Sequence, residues 1–333
     1  YTQLFPPAPT FTEKNLLELS SKVYIITGAT SGVGLELAKI LYTLHATVYI
    51  GARSSSRFDT ATAAIKAECT DSKGALKPFI ADLASLRTIK PAVDAFLNEE
   101  YRLDVLFLNA GVMTPPAGSK TEDGFDLEFG VNCLAPFLLT SLLLPTLSRT
   151  SSHFCHPNTS IRVIWKPCLP TPSPATPTPS LYPSPYIPAQ LNAMDHYMQT
   201  KAGAYLLAQE FHSRAHSSST IADEHGTPSR NPAGVLHISL NPGFMKTELQ
   251  RSSPAPMRGI MGAVFKGPKY GAYTELYAGL APDVEDGDFV IPWGRKGVVP
   301  EHVARSTRVE GGGDGKSVGA RFYEWCEVQV KPF

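Results

Sequence analysis

Short β-branched runs alternating with helical patterns constrain this chain more than any other feature. The runs are Val23–Thr27 (VYIIT), Thr47–Gly51 (TVYIG), Lys77–Ala81 (KPFIA), Val105–Leu108 (VLFL), Ile161–Trp165 (IRVIW) and Val235–Leu240 (VLHISL), with Asp288–Pro292 (DFVIP) a candidate seventh. Helical periodicity occupies Leu35–Leu44, Ala61–Cys69, Leu83–Glu100, Asp126–Ser148, Asp195–His216 and Tyr270–Leu280, and marks a terminal helix over Val318–Gln329. Strands apolar on both faces and separated by helices belong in a parallel sheet covered on both sides. The pattern predicts one doubly wound α/β domain with a parallel sheet of about seven strands.

Two departures from ordinary composition qualify that picture. Charged residues make up 18% of the 333, and there are 29 prolines, against norms of about 25% and about 5%. Thirty basic residues balance thirty acidic ones, which argues against nucleic acid as the main partner. The prolines cluster: ten fall between Pro157 and Pro188, interleaved with Ser and Thr. Outside the Ile161–Trp165 run, such a stretch forms neither helix nor central strand and predicts an extended loop.

The expected organisation is an N-terminal extension over 1–20 and the main domain over 21–310, with a proline-rich insertion at about 153–190. A tail and helix over 311–333 follow the flexible Gly311–Gly315 turn. Cys69, Cys133, Cys155, Cys168 and Cys326 are odd in number and form no CxxC pair, which suits free thiols in a reducing compartment. The opening residues carry neither a basic nor an apolar leader region, so no secretory leader is expected. The apolar run around Cys133–Leu147 is interrupted by prolines and hydroxyls, and is expected to be too short to span a bilayer. A cytoplasmic protein is expected. His153, Cys155, His156 and Cys168 match no usual zinc spacing, so no metal site is expected.

Chemistry enters at Thr27-Gly28-Ala29-Thr30-Ser31-Gly32-Val33-Gly34, where the first strand runs into a helix. Small residues let a backbone approach a pyrophosphate, and a helix N-terminus offers unpaired N–H groups and a positive dipole end. The second strand ends in Gly51-Ala52-Arg53-Ser54-Ser55-Ser56-Arg57, with no carboxylate for a ribose 2′-hydroxyl. Arg53 can fork onto a 2′-phosphate and Ser54 can donate to it, so NADP(H) is expected over NAD(H).

Further motifs follow in order: Asp82-Leu83, Asn109-Ala110-Gly111, Asn132, Tyr197-Met198-Gln199-Thr200-Lys201, and Asn241-Pro242-Gly243 with Thr247. Together they resemble the classical short-chain dehydrogenase/reductase family over roughly Ser21–Leu249. The flanks FPPAPTFTEKNL and YGAYTELYAGLAP resemble its fungal retinol-dehydrogenase-like branch. The resemblance implies a Rossmann-type domain and a family-level expectation of a homo-oligomer. In it Asp82 would meet the adenine and Asn109–Gly111 would line the adenosine ribose. Pro242, Gly243 and Thr247 would sit against the nicotinamide, and Lys201 would hold its ribose. Asn132 would anchor a water on the proton path.

Tyr197 and Lys201 are four apart and share a helix face. An ammonium beside a phenol favours the phenolate, drawing a pKa of about 10 toward an acid–base range. Tyr197 would then protonate a carbonyl oxygen as hydride arrives. The family resemblance implies a substrate that is a carbonyl or alcohol on a lipophilic small molecule, a secondary metabolite in kind. Phe244, Met245 and Leu249 would begin its lid, with Tyr270–Leu280 nearby.

One position breaks the family pattern. The serine pair expected after the fifth strand falls on Pro167 and Cys168. A thiol is a weak donor and proline has no N–H, and losing a positioned donor typically costs roughly 100- to 1000-fold in rate. Several readings stay open. Cys168 or a loop serine such as Ser173 takes the role; or the fold and its cofactor serve non-redox chemistry such as isomerisation, dehydration or cyclisation; or NADP(H) is bound without turnover. A fourth reading is that the segment is an atypical splice or reading-frame product.

Overall fold

The computed structural model describes residues 3, 5–154, 160–167, 192–217, 234–245, 265–309 and 315–333. Seven strands run parallel: β1 (Val23–Ile26), β2 (Thr47–Ala52), β3 (Ala75–Ile80), β4 (Val105–Leu108), β5 (Ile161–Trp165), β6 (Val235–Leu240) and β7 (Phe289–Ile291). A two-residue strand, β8 (Arg295–Lys296), pairs antiparallel with β7, so the sheet has eight strands in the order β3-β2-β1-β4-β5-β6-β7-β8. This extends the expected seven. Two residues carry no periodicity to read, and the reversal turns on Gly294 at φ +79.

Helices cover both faces: α1 (Gly32–Thr43), α2 (Ser55–Glu68), α3 (Ile89–Glu99), the short α4 (Leu127–Phe129), α5 (Ala135–Phe154), α6 (Ala193–Ser217), α7 (Pro268–Leu280), the short α8 (Glu301–Arg305) and α9 (Val318–Val330). Alternating strand side chains separate two cores. Tyr24, Ile26, Val48, Ile50, Phe107 and Ile164 face Leu37 and Leu41 of α1 and Leu276 of α7. Ile25, Tyr49, Leu106, Val163 and Trp165 face Phe96 of α3, Leu139 of α5, Leu206 of α6 and Phe322 of α9.

The apolar segment after Asp126 differs from expectation. Leu127–His153 is continuously helical and long and apolar enough to cross a membrane, but 78% of its most apolar window is buried inside the protein. Pro136 falls at the second residue of α5, and Pro145 is accommodated within it. Packing on the sheet stabilises the helix despite the lost proline donors.

The strand order reverses between β1 and β4, the third and fourth strands of the sheet. In doubly wound sheets a crevice opens there, outside the carboxyl ends of the strands. The cavity described next lies at that place.

Candidate active site

A cavity of about 300 Å³ opens over the carboxyl ends of β1, β2 and β4. Its wall begins with Gly28, Thr30, Ser31, Gly32 and Val33, the turn from β1 into α1. Gly28 and Gly32 hold φ +64 and +57, the left-handed region that favours glycine. Side chains are excluded where the backbones crowd. A Cβ on Gly34 would overlap the Asn109 amide and come within 2.7 Å of Gly28 O, and a Cβ on Gly28 would stand 3.1 Å from Ala110. The turn is bare enough for a phosphate to reach its amides, so these residues fit the dinucleotide that a Rossmann-type fold implies.

Asn109 sets the shape of this turn. Its Nδ2 donates to Thr27 O at 2.8 Å and to Gly28 O at 3.2 Å. Ala110 N donates to Thr27 Oγ1 at 3.0 Å. Arg53, Arg57, Asp82 and Leu83 line the cavity along with these residues. Asp82 Oδ1 also accepts from Ala84 N at 3.0 Å, which fixes its loop.

Gly111, Tyr197 and Lys201 also line the cavity. Tyr197 and Lys201 are 6% and 4% exposed, and the Lys201 ammonium lies 5.4 Å from the centre of the Tyr197 ring. A Cβ on Gly111 would meet Asn132 Oδ1 at 3.0 Å and Lys201 Nζ at 3.1 Å, so the glycine lets an amide and an ammonium close in on the same spot.

Asn132 sits on a π-helical turn, Gly130–Leu134, between α4 and α5. Such turns recur at functional sites because the widened backbone re-aims a side chain. Asn132 Oδ1 accepts from Val112 N, while Nδ2 donates to Val112 O and to Thr200 Oγ1, each at 3.0 Å. Thr200 Oγ1 in turn donates to Tyr197 O at 2.8 Å. The neighbouring Cys133 thiol donates to Thr200 O at 3.1 Å, and burial pushes it up to about 12, so it stays neutral.

Of the expected site residues, the cavity wall therefore takes in Gly28, Thr30, Ser31, Gly32, Val33, Arg53, Asp82, Leu83, Asn109, Ala110, Gly111, Tyr197 and Lys201. Gly34 and Asn132 stand behind that wall. Ser54 precedes α2 as its N-cap residue and is not part of the lining. Pro242 and Gly243 follow β6; Gly243, at φ +88, packs on Pro292, and its N–H donates to Asn241 Oδ1 at 3.0 Å. Cys168, Ser173, Thr247, Leu249, Cys155, His156 and most of the proline-rich stretch lie outside the described residues. Met245 is buried, and Phe244, 43% exposed, stacks near Phe265 with ring centres 5.3 Å apart.

Sequence reasoning missed several contributors. Arg57 lines the cavity one helical turn beyond Arg53. Lys166, directly after β5, lines it too and donates to Asn109 Oδ1 at 2.6 Å. Its position was the available signal: ligands meet a doubly wound sheet at the carboxyl ends of its strands. Beside the site, His196 Nδ1 hydrogen-bonds the buried Glu128, whose other oxygen accepts from Thr114 N at 2.6 Å.

Sheet order, switch-point crevice and glycine-rich β1–α1 turn together define a Rossmann-type α/β protein. Residues 22–153 match the sequence profile described as short chain dehydrogenase. A short-chain dehydrogenase/reductase of Phomopsis amygdali is 40% identical over all of this chain and 96% of its own length. Another, from Emericella nidulans, is 34% identical over 98% of this chain and 97% of its own. The chain belongs to the short-chain dehydrogenase/reductase family of oxidoreductases. Among solved structures, the NADP complex of RhlG from Pseudomonas aeruginosa shares the fold with TM-score 0.55 and 21% identity, over 85% of this chain and 97% of that one. L-sorbose reductase from Gluconobacter frateurii, complexed with NADPH and L-sorbose, does so with TM-score 0.57 and 17% identity, over 82% and 95%.

Proposed function

We propose that this protein is an NADP(H)-dependent short-chain oxidoreductase that interconverts a carbonyl and an alcohol on a lipophilic small molecule. The observation that carries the reading is that one cavity holds a bare glycine turn, two arginines and a buried Tyr197–Lys201 pair. The turn amides and the α1 N-terminus would hold the pyrophosphate, and Arg53 and Arg57 the 2′-phosphate, each guanidinium offering a fork of donors. When bound, the dinucleotide supplies or accepts hydride. The chain's own part is the proton. Tyr197 Oη gives it to the substrate oxygen in reduction and takes it back in oxidation. Lys201 keeps positive charge beside that phenol and favours its ionised form. Asn132 commits both amide hydrogens to Val112 O and Thr200 Oγ1, leaving a lone pair on Oδ1 for a proton-relaying water.

A second reading is favoured by one observation: β5 ends at Trp165 and is followed by Lys166-Pro167-Cys168, with no hydroxyl where a donor to the reacting oxygen is expected. A bound cofactor without efficient hydride transfer would follow. Titration with NADPH and NADH, together with NADPH oxidation across a carbonyl panel, separates the readings. The first expects micromolar NADPH binding and turnover that falls by about 100- to 10,000-fold in Tyr197→Phe. Binding without turnover, with activity gained by Cys168→Ser, supports the second and overturns the first. Binding of neither dinucleotide overturns both.

A further inference from the structure

Among the charged groups near the cavity, Lys166 and Glu275 have no place in the proton chemistry above. Glu275 lies on α7, 1% exposed, and one of its oxygens meets Lys166 Nζ at 3.1 Å. Neither carboxylate oxygen receives an aligned hydrogen bond among the described residues. Burial this deep penalises a carboxylate's charge, so the placement of the one cation that meets it among the described residues, Lys166, matters. Lys166 is held in place, because it also donates to Asn109 Oδ1 at 2.6 Å. Asn109 then donates through Nδ2 to Thr27 O and Gly28 O. The partners fix the amide's orientation: an ammonium only donates and carbonyls only accept, so Oδ1 must face Lys166 and Nδ2 the turn.

We infer that Glu275, Lys166 and Asn109 form a polar relay across the ends of β5 and β4, and that Lys166 is a positioning residue for the glycine-rich turn. The turn's conformation is thereby coupled to α7, which packs against the Val33 end of α1: a Cβ on Gly271 of α7 would stand 2.8 Å from Val33. Without the ammonium, Asn109 Oδ1 loses its charged donor and the amide is held from one side only. The turn then samples other conformations, and ligands that need its amides aligned bind less well. The ligand part of this inference rests on the NADP(H) reading; the relay itself does not.

The test uses the full chain without ligand. Lys166→Met alone would leave Glu275 buried against no cation, so the informative variant is Lys166→Met/Glu275→Leu, which removes both charges and keeps an apolar fill. Backbone amide exchange is followed by mass spectrometry for peptides covering 27–34 and, as control, 235–240. The relay predicts that the turn exchanges about threefold faster or more while the control is unchanged, and that Lys166→Arg with Glu275 in place keeps native exchange. An unchanged turn, or turn and control accelerating together, overturns it. NADPH titration of the same variants gives the second readout, an expected loss of about tenfold in affinity. Should the native protein bind no dinucleotide, the functional reading fails, while the exchange result still decides the relay.

Discussion

Gly34 shows how much one residue decides at this site. It is barred from a side chain by the Asn109 amide, and Asn109 is pinned by Thr27 O and Gly28 O. Gly34→Ala must push the amide off those carbonyls, and overpacking of this kind costs about 1–3 kcal/mol. We expect a lower melting temperature and weaker NADPH binding, both read from a thermal scan with and without the dinucleotide. Arg53 and Arg57 carry a second prediction. On the proposed NADP(H) reading, Arg53→Ala/Arg57→Ala should cut the ratio of NADPH to NADH affinity by about tenfold or more, because charge-assisted bonds to a 2′-phosphate would be lost. An unchanged ratio would show that neither arginine selects the cofactor.

His196 adds a pH dependence at the same scale. Its hydrogen bond with Glu128 holds its pKa above the ordinary imidazole value, against the opposing effect of burial, with Asp126 3.6 Å from Nε2 helping to raise it. A folded-state pKa above the unfolded one stabilises the charged form. That contribution is fully present below the unfolded value of about 6.5 and fades as pH rises through the folded one. The melting temperature of the native protein should therefore exceed that of His196→Gln most at pH 6, with the gap shrinking as pH rises. A gap that widens with pH would contradict the assignment. The glycines, Tyr197 and Lys201 could be named as candidates for one cavity wall because their spacing is local. His196, Glu128 and Lys166 were not, because their partners lie 68, 68 and 57 residues away.

At the scale of elements, strand β5 and the residue after it tie helix α7 to the sheet with two cations four residues apart. Arg162 donates from Nη1 to Ala278 O at 2.8 Å and from Nη2 to Ala281 O at 2.7 Å, closing the C-terminal end of α7. Burial brings its guanidinium down to about 10, so it remains charged at neutral pH. Lys166 meets the same helix at Glu275. Arg162→Met keeps much of the volume but orphans two carbonyls. It should destabilise the fold by about 1.5–3 kcal/mol per charged bond lost, measured by urea denaturation. Both residues were visible in the IRVIWK stretch, but strand periodicity says only that they share a face. Which helix lies on that face is set by topology, with α7 more than 100 residues away in the chain. The π-helical turn that presents Asn132 is equally silent, since no residue pattern distinguishes it from the α-helix on either side.

For the molecule as a whole, β-branched runs and glycine punctuation determined a doubly wound sheet, because burial on both faces leaves a strand little choice of partner environment. The glycine turn and the Tyr197–Lys201 pair could be picked out as candidates from local spacing, but the turn's shape rests on Asn109, about 80 residues away. The C-terminal helix shows the other side. Phe322 is fully buried, edge-on to Phe129 with ring centres 5.9 Å apart, so α9 closes the core behind the Asn132 turn. Phe322→Ala should cost about 3–5 kcal/mol and lower thermal stability. The terminal helix could be read from periodicity, but its seat against Phe129 could not. Only the tertiary structure decided that seat, the antiparallel β8 edge and the Glu275–Lys166–Asn109 contact. Each is a pairing between distant segments, and a buried charge or ring shows what it does only when the group that satisfies it is in view.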